Sequence, residues 1–176
     1  MNEKVAIMTD STCDIPQNII EEYGIHVVPL RIVYGDREYR DNIDITAEQV
    51  YERLPTEIPT TSLPSPEDVL NLFHRLKEEG FTHVLAIHIS SGLSGTAQLI
   101  ENLASQVKGL IVKVIDSKSI SMGLGYSVIE AARKLQQNAS FEAVCAHVQG
   151  TLSKMRVYFV LGTLEYLTKG GRIGKV

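Results

Sequence analysis

Cysteine is scarce: Cys13 and Cys145 are the only two in 176 residues, and they stand too far apart to form a disulfide framework. No apolar run approaches the roughly eighteen residues that span a bilayer, so stable membrane insertion is not expected. The amino terminus, Met1-Asn2-Glu3-Lys4, runs straight into a strand-like segment instead of a basic region followed by a long apolar stretch. Reduced cytoplasm is the expected location. Basic residues are scattered and the net charge is -4, which argues against a nucleic-acid surface, because neutralising phosphates needs clustered Lys and Arg. His26, His74, His83 and His88 lack paired metal-ligand spacing, so neither a metal nor a cofactor is expected. Repeats and Pro/Gly-rich linkers that would divide the chain are also missing, and the length suits one domain.

What is present alternates. Val5 to Met8 reads as a buried strand that gives way to the polar turn Thr9-Asp10-Ser11-Thr12. Pro16 opens a helix ending at Gly24, and a strand from Ile25 to Val33 follows. Gly35-Asp36 separates that strand from a small hairpin or edge at Glu38 to Arg40. Thr46 and Gln49 form a capping box for the next helix, and the Pro, Thr and Ser of residues 55–66 read as loop. Ser65-Pro66 starts a helix bearing Val69, Leu72, Phe73 and Leu76 on one face. Strands at 84–89 and 110–115 enclose a helix through Ile100, Leu103 and Val107. Two more helices, the second opened by Ser140, precede a strand from Val157 to Leu161 and a short helix capped by Gly170-Gly171. The expected fold is α/β, a mostly parallel sheet with helices on both faces in Rossmann-like layers.

In such a sheet ligands bind beyond the strand carboxyl ends, where helix amino termini present free N–H groups. Three hydroxyl-rich loops fall there: Thr9 to Thr12, Ser90 to Thr96, and Asp116 to Ser121. Gly92 and Gly95 permit close backbone approach, and Ser91, Ser94 and Thr96 add donors that suit a small anionic head group. The same hydroxyls could equally do no more than cap the helix. Gly92-Leu93-Ser94-Gly95-Thr96 misses the Gly-x-Ser-x-Gly spacing of a hydrolase elbow, and the one later histidine, His147, lies in an amphipathic helix. Cys13 has no basic neighbour in its loop to lower its pKa, so it reads as structural. Asp10 and Asp116 occupy equivalent strand ends and are expected to hold loops in shape, as are Ser11 and Ser117.

Five motifs occur in a fixed order: Thr9-Asp10-Ser11-Thr12; Pro59-Thr60-Thr61-Ser62; Ser90 through Thr96; Asp116-Ser117-Lys118-Ser119 with Met122-Gly123-Leu124-Gly125; and Lys169-Gly170-Gly171-Arg172-Ile173. Together they resemble the DegV family, and within it the fatty-acid-binding subunits of bacterial fatty acid kinase. The resemblance implies a lipid-binding protein, not itself an enzyme, that holds a long-chain fatty acid and presents its carboxylate to a separate ATP-dependent kinase subunit. It further implies that Thr61 and Ser94 hydrogen-bond the carboxylate, with Ser62, Ser91 and Gly95 as neighbours. Asp10, Ser11, Thr96, Asp116 and Ser117 are expected to shape the loops, and Arg172 is expected to be exposed or partly exposed near the carboxyl terminus, available to a second domain or a partner, and not a buried partner of the carboxylate. Family members continue past the Gly-Gly-Arg-Ile motif into a second domain that encloses much of the acyl chain. Residues 1–176 are therefore expected to form the amino-terminal domain without that second one, with lipid binding at least about a hundredfold weaker than in an intact relative, since four unburied methylenes already cost about 3 kcal/mol. Two other readings stay open: a small-molecule hydrolase or transferase using Ser94 or Asp10, and a ligand-free interaction or regulatory domain.

Overall fold

The computed structural model describes residues 3–173; Met1, Asn2 and Gly174 to Val176, the ends of the expected unit, lie outside the described residues. Strands β1 (Val5–Asp10), β2 (His26–Val28), β6 (His83–His88) and β7 (Ile111–Asp116) form a wholly parallel sheet in the order β2-β1-β6-β7. Residues alternate across it as a period of two requires. Ala6, Met8, Val84 and Ala86 face α3 (Pro66–Glu78) and α4 (Thr96–Ala104), which contribute Val69, Phe73, Leu76 and Ile100. Ile7, Leu85 and Ile87 face the other way, against α5 (Met122–Gln136) and α6 (Phe141–Lys154), with α1 (Gln17–Tyr23) packed at the margin through Ile19, Ile20 and Tyr23. The α/β architecture with helices on both faces is thus present.

The expected single strand from Ile25 to Val33 is two strands in two sheets. Pro29, which has no N–H to give a ladder, and Leu30 interrupt it, and the Leu30 N–H donates to Ser11 Oγ at 3.1 Å instead. Beyond the break, β3 (Arg31–Tyr34) pairs antiparallel with β4 (Arg37–Arg40) on one side and with β5 (Thr60–Ser62) on the other. The stretch from Pro55 to Pro66, expected to be loop throughout, therefore contains a strand. Its three residues are exposed, so neither burial nor an apolar pattern marks it, and only the ladder to β3 defines it.

The expected strand from Val157 to Leu161 is also corrected: the segment joins no ladder among the described residues, and its side chains are exposed. Its apolar composition supplied the expectation, and the missing partner strand removes it. Local signals were more dependable where they concern caps. Thr46 and Gln49 form the reciprocal capping box of α2 (Ala47–Arg53), Ser140 Oγ accepts from the Ala143 N–H at the start of α6, and Pro66 occupies the first turn of α3. At the end of α7 (Glu165–Lys169), Gly171 takes φ +72° while the N–H groups of Arg172 and Gly171 return to the carbonyls of Leu167 and Thr168. That double closure is the Schellman arrangement, for which a left-handed glycine is suited.

Candidate functional site

The connection after β1 leads through α1 to β2 on one side, whereas the connection after β6 leads through α4 to β7 on the other. The sheet therefore has a topological switch point between β1 and β6, where diverging loops leave a crevice at the carboxyl edge. Asp10 ends β1 and His88 ends β6, and both are completely buried there. Oδ1 of Asp10 accepts from the N–H and hydroxyl of Thr12, at 3.1 and 2.6 Å; Oδ2 accepts from the Ile89 N–H at 2.9 Å and stands 2.9 Å from His88 Nδ1. A carboxylate only accepts, so His88 carries its hydrogen on Nδ1. Burial pushes the Asp10 pKa up, but the His88 bond and charge, with Thr12 and Ile89, outweigh it and hold the pKa below the ordinary 3.8. Asp10 is thus saturated by structural bonds and holds the β1 turn to the β6 loop.

The loop from Ile89 to Gly95 closes on itself, with the N–H groups of Leu93 and Ser94 donating to the Ser90 carbonyl. Asp116, at the end of β7, accepts from the Ser91 N–H at 3.1 Å, the Ser91 hydroxyl at 2.6 Å and the Lys118 N–H at 2.9 Å. Burial acts to raise its pKa, yet the Ser91 and Lys118 donors win and lower it. The Ser91 hydroxyl hydrogen is consequently committed to the loop. Ser117 likewise works locally, its hydroxyl accepting from the Ser119 N–H and donating to the Ser119 carbonyl.

Ser94 and Thr96 behave differently. Neither caps α4: Gly95 occupies the cap position without a side-chain bond, and Ser94 Oγ lies 2.8 Å from Thr96 Oγ1. Thr96 is buried and Ser94 half-buried, so one hydroxyl backs the other. Leu63, one residue past β5, packs on Gly95, with its methyl carbons 3.8 and 3.9 Å from where a Cβ would stand. This contact brings the β5 strand, with exposed Thr61 and Ser62, alongside the α4 amino terminus. The exposed Arg172 reaches back from the far end of the chain, its Nε donating to the Leu93 carbonyl at 3.4 Å and Nη1 to the Gly170 carbonyl at 2.6 Å.

Ser94 is paired with a hydroxyl that has no basic character, His88 spends Nδ1 on Asp10, and His147 Nε2 lies 3.2 Å from Glu130. No group of three or more metal-ligating side chains occurs among the described residues, and none of their helices is long and apolar enough to cross a membrane. Cys13 is buried, which pushes its thiol up to about 11 and keeps it protonated. His88 and the Leu63 contact escaped the sequence reading. A polar residue in register with Asp10 on a neighbouring parallel strand is the signal for the first; the second depends on a β5 ladder that composition concealed.

A family model described as "Uncharacterised protein, DegV family" matches residues 4–176. A DegV domain-containing protein of Clostridium acetobutylicum is 42% identical over 174 residues, covering 99% of this chain, and another from Clostridium perfringens is 41% identical over 174 residues, with the same cover. The chain spans 62% of the length of each. Among solved structures, DegV of Bacillus subtilis, described as a fatty acid binding protein, superposes with a TM-score of 0.92 at 30% identity over 97% of this chain and 61% of its own. A DegV family protein of Thermus thermophilus, described by its fatty acid binding, gives 0.88 at 39% identity over 97% and 61%. A stearic acid-binding protein of Eubacterium ventriosum gives 0.90 at 33% identity over 98% and 61%.

Proposed function

The chain belongs to the DegV family, and from that premise we propose that it binds a long-chain fatty acid by the carboxylate at the carboxyl edge of the sheet. The observation that carries this reading is the Ser94 hydroxyl, backed by Thr96 and standing at the α4 amino terminus beside the strand that bears Thr61. Solved relatives described as fatty acid binding support it. Thr61 and Ser94 donate to the two carboxylate oxygens, with Ser62 and the Gly95 backbone adjoining. Ser91, Asp10, Ser11, Asp116 and Ser117 hold the loops. Arg172 braces the loop at Leu93.

Neutral donors bind a carboxylate without a fixed counter-ion, so the oxygens stay available to a reacting partner. This suits a carrier that offers its bound acid to a separate ATP-dependent kinase subunit and performs no catalysis alone. The test is native mass spectrometry of the purified protein followed by lipid extraction, then titration with a soluble fatty acid. An acyl-sized adduct is expected. Thr61→Val and Ser94→Ala should each weaken binding about tenfold, the equivalent of one charge-assisted hydrogen bond. Unchanged affinity in both variants would remove Thr61 and Ser94 from the site.

A further inference from the structure

The three-stranded sheet sorts its side chains by face. Register sets Tyr39 of β4 and Thr61 of β5 on either side of Ile32 in β3, and sets Tyr34 opposite Arg37. Directly opposed residues share a face and alternate residues return to it, so Thr61, Ile32, Tyr34, Tyr39 and Arg37 lie on one side. Arg31, Val33, Glu38 and Arg40 lie on the other. Ion pairs follow that division: Arg31 pairs with Glu38 and Asp68, and Arg40 with Asp44. Glu38 is the one acid within these three strands, and it lies on the face away from Thr61.

The Thr61 face gathers donors instead. Arg53, the last residue of α2, holds its guanidinium carbon 5.2 Å from the ring centre of Tyr34 and 5.7 Å from that of Tyr39. The two rings meet edge to face with centres 6.2 Å apart, so one arginine lies over both. Arg53, and after it Arg37, donates toward the Tyr39 hydroxyl and holds its pKa below the ordinary 10. Tyr34 is 4% exposed, and its hydroxyl has no hydrogen-bond partner among the described residues. A buried phenol whose proton meets no acceptor is costly. Two guanidinium groups and two phenols, with no carboxylate from the strands, make a surface short of acceptors, which a group bearing several anionic oxygens supplies.

Tyr39 and Thr61 are two strand spacings apart, about 10 Å between backbones. A carboxylate held by Thr61 therefore has both guanidinium groups on its own face of the sheet, beyond Ile32. We propose that Arg37, Tyr39 and Arg53 form an oxyanion subsite for a phosphoryl group, carried either on the head group of the lipid held at Thr61 or by free phosphate. The first source rests on the fatty-acid reading above. The test is isothermal titration of the 176-residue chain with dodecanoate, dodecyl phosphate and inorganic phosphate. Dodecyl phosphate should bind at least about tenfold more tightly than dodecanoate. Arg37→Gln, at an exposed hairpin position, should lower that ratio about threefold, and Arg37→Gln/Arg53→Gln should bring it to about one. The ratio is taken within one variant, so it does not depend on how much of that variant is folded. Inorganic phosphate that saturates and is lost in the double variant, with dodecyl phosphate no tighter than dodecanoate, would assign the subsite to free phosphate. Phosphate binding that follows the arginines while dodecanoate fails to bind would remove the fatty-acid reading and keep the subsite. An unchanged ratio and unchanged phosphate affinity in the double variant would overturn the subsite and keep the fatty-acid reading. Absence of binding by all three would overturn both.

Discussion

Asp10 carries the switch point at the scale of a single side chain. Asparagine in its place keeps the volume but replaces an acceptor oxygen by a donor, facing groups that are themselves donors. Breaking a buried, hydrogen-bonded pair by altering one partner costs about 3 kcal/mol, so Asp10→Asn should lower stability by about that amount in urea unfolding at pH 7. The pH dependence has a definite sign. Because the folded-state pKa lies below the ordinary 3.8, the contribution is complete above that value and is lost as pH falls through the depressed folded value. The gap between wild type and variant should therefore narrow on acidification below pH ~4 and be flat above pH ~5. Gly125 is the second sensitive residue: a Cβ there would collide with the Cys13 carbonyl oxygen and crowd Ile15. Backbone cannot swing aside as a side-chain tip can, so Gly125→Ala should cost about 2 kcal/mol or more in the same assay. An unchanged urea midpoint would show that α5 slides freely over the turn after Cys13. The loop-holding roles of Asp10 and Asp116 were legible from sequence, since carboxylates at strand ends face unpaired N–H groups. His88 was not: its pairing depends on the register between β1 and β6, which no local pattern contains.

At the scale of elements, legibility follows how local the determining interaction is. A capping box needs four consecutive residues, and Thr46 with Gln49 forms one as read from sequence. Thr46→Ala should remove about 1 kcal/mol of local stability from α2. The measurement is amide exchange at Val50 and Leu54, whose N–H groups bond to Thr46 and Val50 in that helix; both should exchange faster, while β1 and β6 amides keep their rates. Equal acceleration everywhere would mean that α2 opens only with the whole protein. Strands are less legible because pairing is not local. β5 has three exposed polar residues and exists through its ladder to β3, while the apolar Val157 to Leu161 has every compositional mark of a strand and no ladder among the described residues. The run from Ile25 to Val33 is mostly apolar, with His26 and Arg31 within it, yet Pro29 transfers the chain from one sheet to another, and composition does not reveal which strand lies beside each half.

At the scale of the molecule, the alternation of strand and helix was enough to establish the parallel sheet and the carboxyl edge on which polar loops gather. What it left out was the second sheet, and with it the β5 strand that bears Thr61. The two halves of the candidate site thus differ in legibility: the α4 amino terminus follows from strand and helix order, and the β5 half follows from an antiparallel ladder. One whole-molecule property remains open to measurement. Tyr158 is 90% exposed and Val160 fully exposed, although fully burying such a side chain contributes about 1.5–3 kcal/mol. Exposed apolar side chains of this kind attract dyes and other apolar surfaces, including those of its own copies. The double variant Tyr158→Ser/Val160→Ser should therefore bind less anilinonaphthalene sulfonate and associate less with rising concentration in sedimentation velocity. Its urea midpoint should be unchanged to within about 0.5 kcal/mol, as for substitutions away from packed features. A loss of several kcal/mol would instead mean that the segment packs against the protein in solution.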